Sequence, residues 1–130
     1  SDAKVFERGM QLLHRCDGEF KQLLDRYKYP QQHGLEDGTR ARNEALFFLA
    51  NLESLLTQQR YLFNSNIGIF DAAILPFIRQ FSHVDIDWFA AQPLPSVQAW
   101  LSAFEHSADF KRAMTVYPAW ADNSPITVFP

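Results

Sequence analysis

The chain has one cysteine, Cys16, in 130 residues, so no disulfide can close within it. It has no run of roughly eighteen or more apolar residues, which argues against a membrane-spanning helix. No charged-then-apolar leader suggests export. These absences lead us to expect a cytoplasmic protein. The basic residues are scattered, 12 of them against 15 acidic ones, and no Lys/Arg stripe points to nucleic acid. Four histidines, His14, His33, His83 and His106, show no metal-ligand spacing. The nearest approach to a ligand cluster is His83 with Asp85 and Asp87 in a connector, and no metal site is assigned. No phosphate loop, nucleophile elbow or triad can be read from spacing, so no catalytic residue is assigned. Strand alternation, internal repeats and low-complexity tracts are lacking too.

What is present is helical periodicity and aromatic bulk. Apolar residues make up 47% and aromatics 15%, including twelve phenylalanines, enough for one real core in a chain of this length. Residues 5–27 carry an apolar stripe (Val5, Gly9, Leu12/Leu13, Cys16, Phe20, Leu23/Leu24, Tyr27) at steps of about three and four. Asp17-Gly18 interrupts it and predicts a kink or brief break, with Asp17 able to cap a second segment. Pro30 ends the pattern, because the residue before proline avoids helical angles. A polar loop follows over 31–39.

A helix over 39–58 turns Ala45, Phe48/Leu49, Leu52 and Leu55/Leu56 inward. After a turn at 61–66, a helix over 69–81 points Phe70, Ala73/Ile74, Phe77/Ile78 and Phe81 inward. Pro76 within it predicts a bend near Ala72. Residues 84–93 read as a connector with about one turn near Trp88-Phe89. Pro95 suits a first helical position and opens a helix over 95–105 presenting Val97, Trp100/Leu101 and Phe104. Ser107 is placed to cap a short helix over 108–114, and residues 121–130 read as an irregular tail. The class is all-α, a helical bundle with one domain over 1–120.

Several positions invite a chemical reading. Gly68 is the expected N-cap of the 69–81 helix. Asp71, three residues on, can reach back to its N–H at the positive end of the helix dipole. On the first helix one flank carries Phe6, Met10, His14 and Asp17. Cys16 lies on the apolar stripe and reads as a buried, inert thiol. In the block Asp25-Arg26-Tyr27-Lys28-Tyr29, Tyr27 should pack while Arg26 and Lys28 stay solvated.

Three separated blocks in order resemble the C-terminal helical domain of bacterial glutathione S-transferases. The first runs Phe20-Lys21-Gln22-Leu23-Leu24-Asp25-Arg26-Tyr27-Lys28-Tyr29-Pro30. The second is Tyr61, Leu62, Asp71, Leu75, Pro76 and Phe77. The third is Arg79-Gln80-Phe81, Val84-Asp85, Trp88-Phe89, Pro95, Val97, Trp100-Leu101, Phe110 and Met114. The chain departs from the family at Gly68, where a hydroxyl cap is usual, at Asn64, where Gly is common, and at Phe70, where Ala is common.

The resemblance implies that a thioredoxin-like N-terminal domain, the part that binds glutathione, belongs to the parent protein. The chain alone would then bind no cofactor and be inactive. It also implies that the helical domain supplies a pocket for a small apolar electrophile, here assigned to Phe6, Met10 and His14 with Tyr117 and Trp120 as cover. The start at Ser1-Asp2-Ala3, with no initiator Met, suggests a processed chain, an expression remnant or an excised fragment. A homodimer, or a non-catalytic interaction or dimerisation scaffold of the same fold, is the alternative.

Overall fold

The computed structural model describes residues 2–63 and 68–107, and every regular element among them is helical. Helix α1 spans Asp2–Arg15, α2 Lys21–Lys28, α3 Thr39–Leu56, α4 Ile69–Val84, α5 Ile86–Ala90 and α6 Pro95–Glu105. None is long and apolar enough to cross a membrane. The expected helix over 108–114 and the tail over 121–130 lie outside the described residues.

The interruption at Asp17-Gly18 takes an unexpected form. The backbone passes from α1 to α2 through one π-helical turn, Cys16–Phe20, and never leaves helical angles at either junction. Such wide turns are the usual shape of a one-residue insertion in a helix. Asp17 therefore has no helix start to cap: neither junction carries a side-chain cap, and Asp17 is exposed. Cys16 and Phe20, at the two ends of the turn, both remain inside the core. The run ends at Lys28 ahead of Pro30, which opens a short 3-10 turn, Pro30–His33.

Helix α4 is the centre of the fold. Phe70, Ile74, Leu75, Phe77, Ile78 and Phe81 are all buried, and so are Pro76, Gln80 and Ser82. A helix that is buried nearly all round has neighbours on every side, here α1, α2, α5 and α6. The run continues through Pro76 without interruption. Proline inside a helix costs about 3 kcal/mol. Six large apolar side chains, at about 1.5–3 kcal/mol each, outweigh that loss several-fold. An aromatic cluster joins the elements around Phe81, whose ring lies 5.6 Å from Phe20, 5.2 Å from Tyr27 and 6.3 Å from Phe89.

Long-range caps hold the remaining ends. Glu53 of α3 accepts from Ser96 N–H (3.1 Å) and Val97 N–H (2.9 Å), so α6 starts on a carboxylate from another helix. Asp85 accepts from Trp88 N–H at 3.1 Å and caps α5. Gln98 Nε2 donates to the carbonyls of Phe89 (2.9 Å) and Gln92 (3.0 Å), closing the end of α5 against α6.

Helix α1 meets α4 where Gly9 faces Phe70. A Cβ on Gly9 would fall 2.1 Å from the Phe70 ring, whereas one on Gly18 would meet nothing within 4 Å. Gly9→Ala should therefore lower the free energy of unfolding by about 1–3 kcal/mol through overpacking. Gly18→Ala should raise it by about 0.5–1 kcal/mol. Urea titrations of the two variants check the opposite signs.

Candidate functional site

The flank of α1 singled out from sequence stands largely in solvent. Phe6 is 54% exposed and Met10 46%, and His14 is exposed. Only Phe6 is tied down by a ring partner, Phe70, at a centroid distance of 5.9 Å. Ile69, at the first position of α4, is 69% exposed. Phe6, Met10 and His14 line none of the four cavities described below. Tyr117 and Trp120, the expected cover, lie outside the described residues.

Asp71 occupies the opposite environment. It is 2% exposed and accepts three N–H groups. Its Oδ1 takes Leu62 N–H at 3.0 Å and the Trp100 indole N–H at 2.9 Å, and its Oδ2 takes Gly68 N–H at 3.0 Å. The reciprocal half of a capping box is missing, because Gly68 has no side chain to accept from the third helical N–H. The indole of Trp100 reaches the carboxylate from α6, a link no local sequence rule supplies. All three donors come from structural positions, and Asp71 lines none of the described cavities, so the carboxylate joins three segments.

Cavities lined by the described residues include four that open on the surface. One of about 480 Å³ lies between α4, α5 and α6, with Phe89 and Leu101 on its apolar side and Ser82, His83 and Glu105 on its polar side. At its edge Glu105 Oε2 accepts from Arg79 Nε at 3.0 Å and lies 3.2 Å from His83 Nε2. His83 therefore turns to Glu105, and Asp85 to the α5 cap, so the grouping of His83 with Asp85 and Asp87 does not form. Among the described residues no set of three or more His, Cys, Asp or Glu could hold a metal ion. A second cavity, of about 370 Å³, lies beside the loop after α2 and is lined by Arg26, His33, Leu35 and Arg40. His33 Nε2 there lies 2.8 Å from Asp25 Oδ2. A third, of about 20 Å³, is a cleft by Phe20 and Phe47. The fourth lies between α1 and α3 and contains Arg8 and Arg15. Sequence reading missed that pair, which stands on the other side of α1 from Phe6 and Met10.

In the block 25–29, Tyr27 packs on Phe81, and Lys28 Nζ donates to Gln80 Oε1 at 3.3 Å, so Lys28 engages the fold instead of only water. Burial pushes the Tyr27 hydroxyl up, with Arg42 opposing and Asp85 adding to the rise. Burial also pushes the Cys16 thiol far up, and the neighbouring Asp17 carboxylate adds to it. A thiol held protonated is neither a nucleophile nor a metal ligand.

Compared with known proteins, the chain matches no family model, no curated protein and no solved structure.

Two measurements follow from this geometry. Asp71→Ala leaves the buried N–H groups of Leu62 and Trp100 without their acceptor, at about 1–3 kcal/mol each, and the half-buried Gly68 N–H as well. Its free energy of unfolding should drop by about 3 kcal/mol or more in denaturant titration. Cys16 has a folded pKa above its unfolded one, so its contribution to stability is complete below the unfolded value. It is lost as pH rises beyond roughly 9, where the unfolded thiol ionises. Native protein should resist iodoacetamide, and Cys16→Ala should flatten the loss of stability between neutral and alkaline pH.

Proposed function

We propose that the chain is the helical domain of a glutathione S-transferase-like protein. In this reading it docks against a thioredoxin-like domain that binds glutathione, and it supplies the apolar side of the substrate pocket. The observation that carries the reading is the flank of α1. A helix whose other side is anchored by Gly9 and Leu12 leaves Phe6 and Met10 half in water, and Ile69 at the start of α4 is exposed too. Adjoining exposed apolar side chains mark a surface that another body covers. Phe and Met on it suit varied apolar ligands. The three sequence blocks are the second support, and the central ones lie on α2, α4 and the α6 start. An interaction or dimerisation scaffold would use the same flank without chemistry.

The reading assigns glutathione activation to residues outside the chain. The isolated 130-residue protein, mixed with glutathione and a chlorinated dinitrobenzene, should therefore give no conjugation above buffer. The flank should bind a fluorescent apolar dye, and the double variant Phe6→Glu, Met10→Glu should lose most of that binding while keeping its circular dichroism. Turnover by the isolated chain, or dye binding that the double variant leaves unchanged, would overturn the proposal. Self-association abolished by the double variant would shift it to the scaffold.

A further inference from the structure

The groove between α1 and α3 holds the most specific unassigned arrangement of charge in the molecule. Helix α3 packs closely along α2 and touches the π turn, but it makes little contact with α1. The two helices therefore part beyond Cys16, and a cavity of about 220 Å³ opens between them. Arg8 stands at one end and Arg15 at the other. They are two helical turns apart on α1, about 10 Å along its axis. Each guanidinium lies over an aromatic ring from elsewhere in the chain: Arg8 is 5.5 Å from the Phe63 centroid and Arg15 is 5.6 Å from that of Phe48. The rings hold the two cations apart and leave their edge N–H groups open.

Neither arginine has a carboxylate partner among the described residues, in a chain whose net charge is −3. Arg40 and Arg79, by contrast, each pair with a glutamate. Between the two cations the groove is lined by Leu12 and Leu55, with the carboxamides of Gln11 and Asn51 beside them. No acidic side chain lines it. Glu19 and Glu44 border the separate cleft near Phe47, which Arg15 also borders from its other side.

We propose that this groove binds a short linear dianion, an α,ω-dicarboxylate whose ends are gripped by Arg8 and Arg15 and whose apolar middle lies over Leu12 and Leu55. Each guanidinium presents a planar fork that matches a carboxylate bidentately. The spacing selects for two acidic groups at a fixed separation, because a single small anion can meet only one arginine. The carboxamides hydrogen-bond the inner oxygens. This site stands on the other side of α1 from the apolar flank and does not depend on the reading of that flank.

The test is isothermal titration calorimetry of the 130-residue protein at low salt with nonanedioate, whose extended chain separates its carboxylates by about the helical rise from Arg8 to Arg15. Nonanoate, with one carboxylate, and inorganic phosphate are the comparison ligands. Saturable binding of nonanedioate, at least about tenfold tighter than either comparison ligand, is expected, since an order of magnitude is what one charge-assisted pair is worth. Arg8→Gln and Arg15→Gln should each weaken it about tenfold, and Arg60→Gln, outside the groove, should not. Circular dichroism confirms that the variants fold. Should either glutamine variant lose its helix signal, Arg8→Lys and Arg15→Lys carry the same test, with several-fold weakening expected from loss of the fork. The proposal is overturned by absence of saturable binding, by nonanoate or phosphate binding as tightly, or by folded Arg8 and Arg15 variants that bind as the native protein does.

Discussion

The carboxylate of Asp71 is the interaction on which the fold depends. It sits in the core at 2% exposure and takes N–H groups from Leu62, Gly68 and Trp100. A buried charge is tolerable only when its acceptor capacity is filled. Three N–H donors at 2.9–3.0 Å fill most of it here, with no cation paired to it among the described residues. The consequence is positional. The turn after α3, the first residue before α4 and the indole of α6 must all converge on one point. That convergence sets where α4 enters the core and which side α6 covers, and the aromatic packing around Phe81 follows from it.

The same logic recurs with Glu53. Its two oxygens accept from Ser96 and Val97 N–H, so the start of α6 is satisfied by α3. A helix start carries backbone donors without internal partners and a positive dipole end, and Pro95 at the first position removes only one of those donors. The carboxylate fills two more while tying together elements that hydrophobic contact alone would leave free to slide. Direction comes from these polar ties, and burial of the aromatic and aliphatic side chains supplies most of the favourable free energy.

Much of the helical layout is legible in the sequence because its causes are local. Pro30 and Pro95 act on adjacent backbone, and the inward positions of α3 and α6 follow from a period of about 3.6 residues. What escapes local reading is whatever depends on residues far apart in the chain. Nothing near Pro95 announces that Glu53 will cap it, and nothing near Asp71 announces Trp100. The Asp17-Gly18 break became a π turn because Cys16 and Phe20 both had to stay inside, a packing demand that propensity does not register. Helix α4 reads as one-sided from its stripe, yet Leu75 and Gln80 are buried as well, because four helices surround it. For the candidate sites, Phe6 and Met10 are visible as a flank from spacing alone. Arg8 and Arg15 are not visible as a pair, since the rings that aim them, Phe63 and Phe48, come from α3 and the turn after it.

Helix α1 carries both the apolar flank and the arginine pair. The other long helices turn most of their apolar residues into the core, with Phe47 and Ile69 left outside, while α1 is fastened mainly along one line, through Gly9 against Phe70 and through Leu12, with Cys16 buried just beyond its end. The close approach at Gly9 brings α1 down onto α4, and the parting of α3 from α1 beyond the π turn leaves its other side uncovered. One side consequently presents Phe6 and Met10 to solvent, and the other presents Arg8 and Arg15. An element anchored by a narrow seam can offer two chemically different faces without loss to the core. Filling either face with the domain's own side chains would demand a wider seam, and Gly9 leaves no room beside Phe70 for one. The openness of α1 is therefore a consequence of how tightly the rest of the molecule closes around α4.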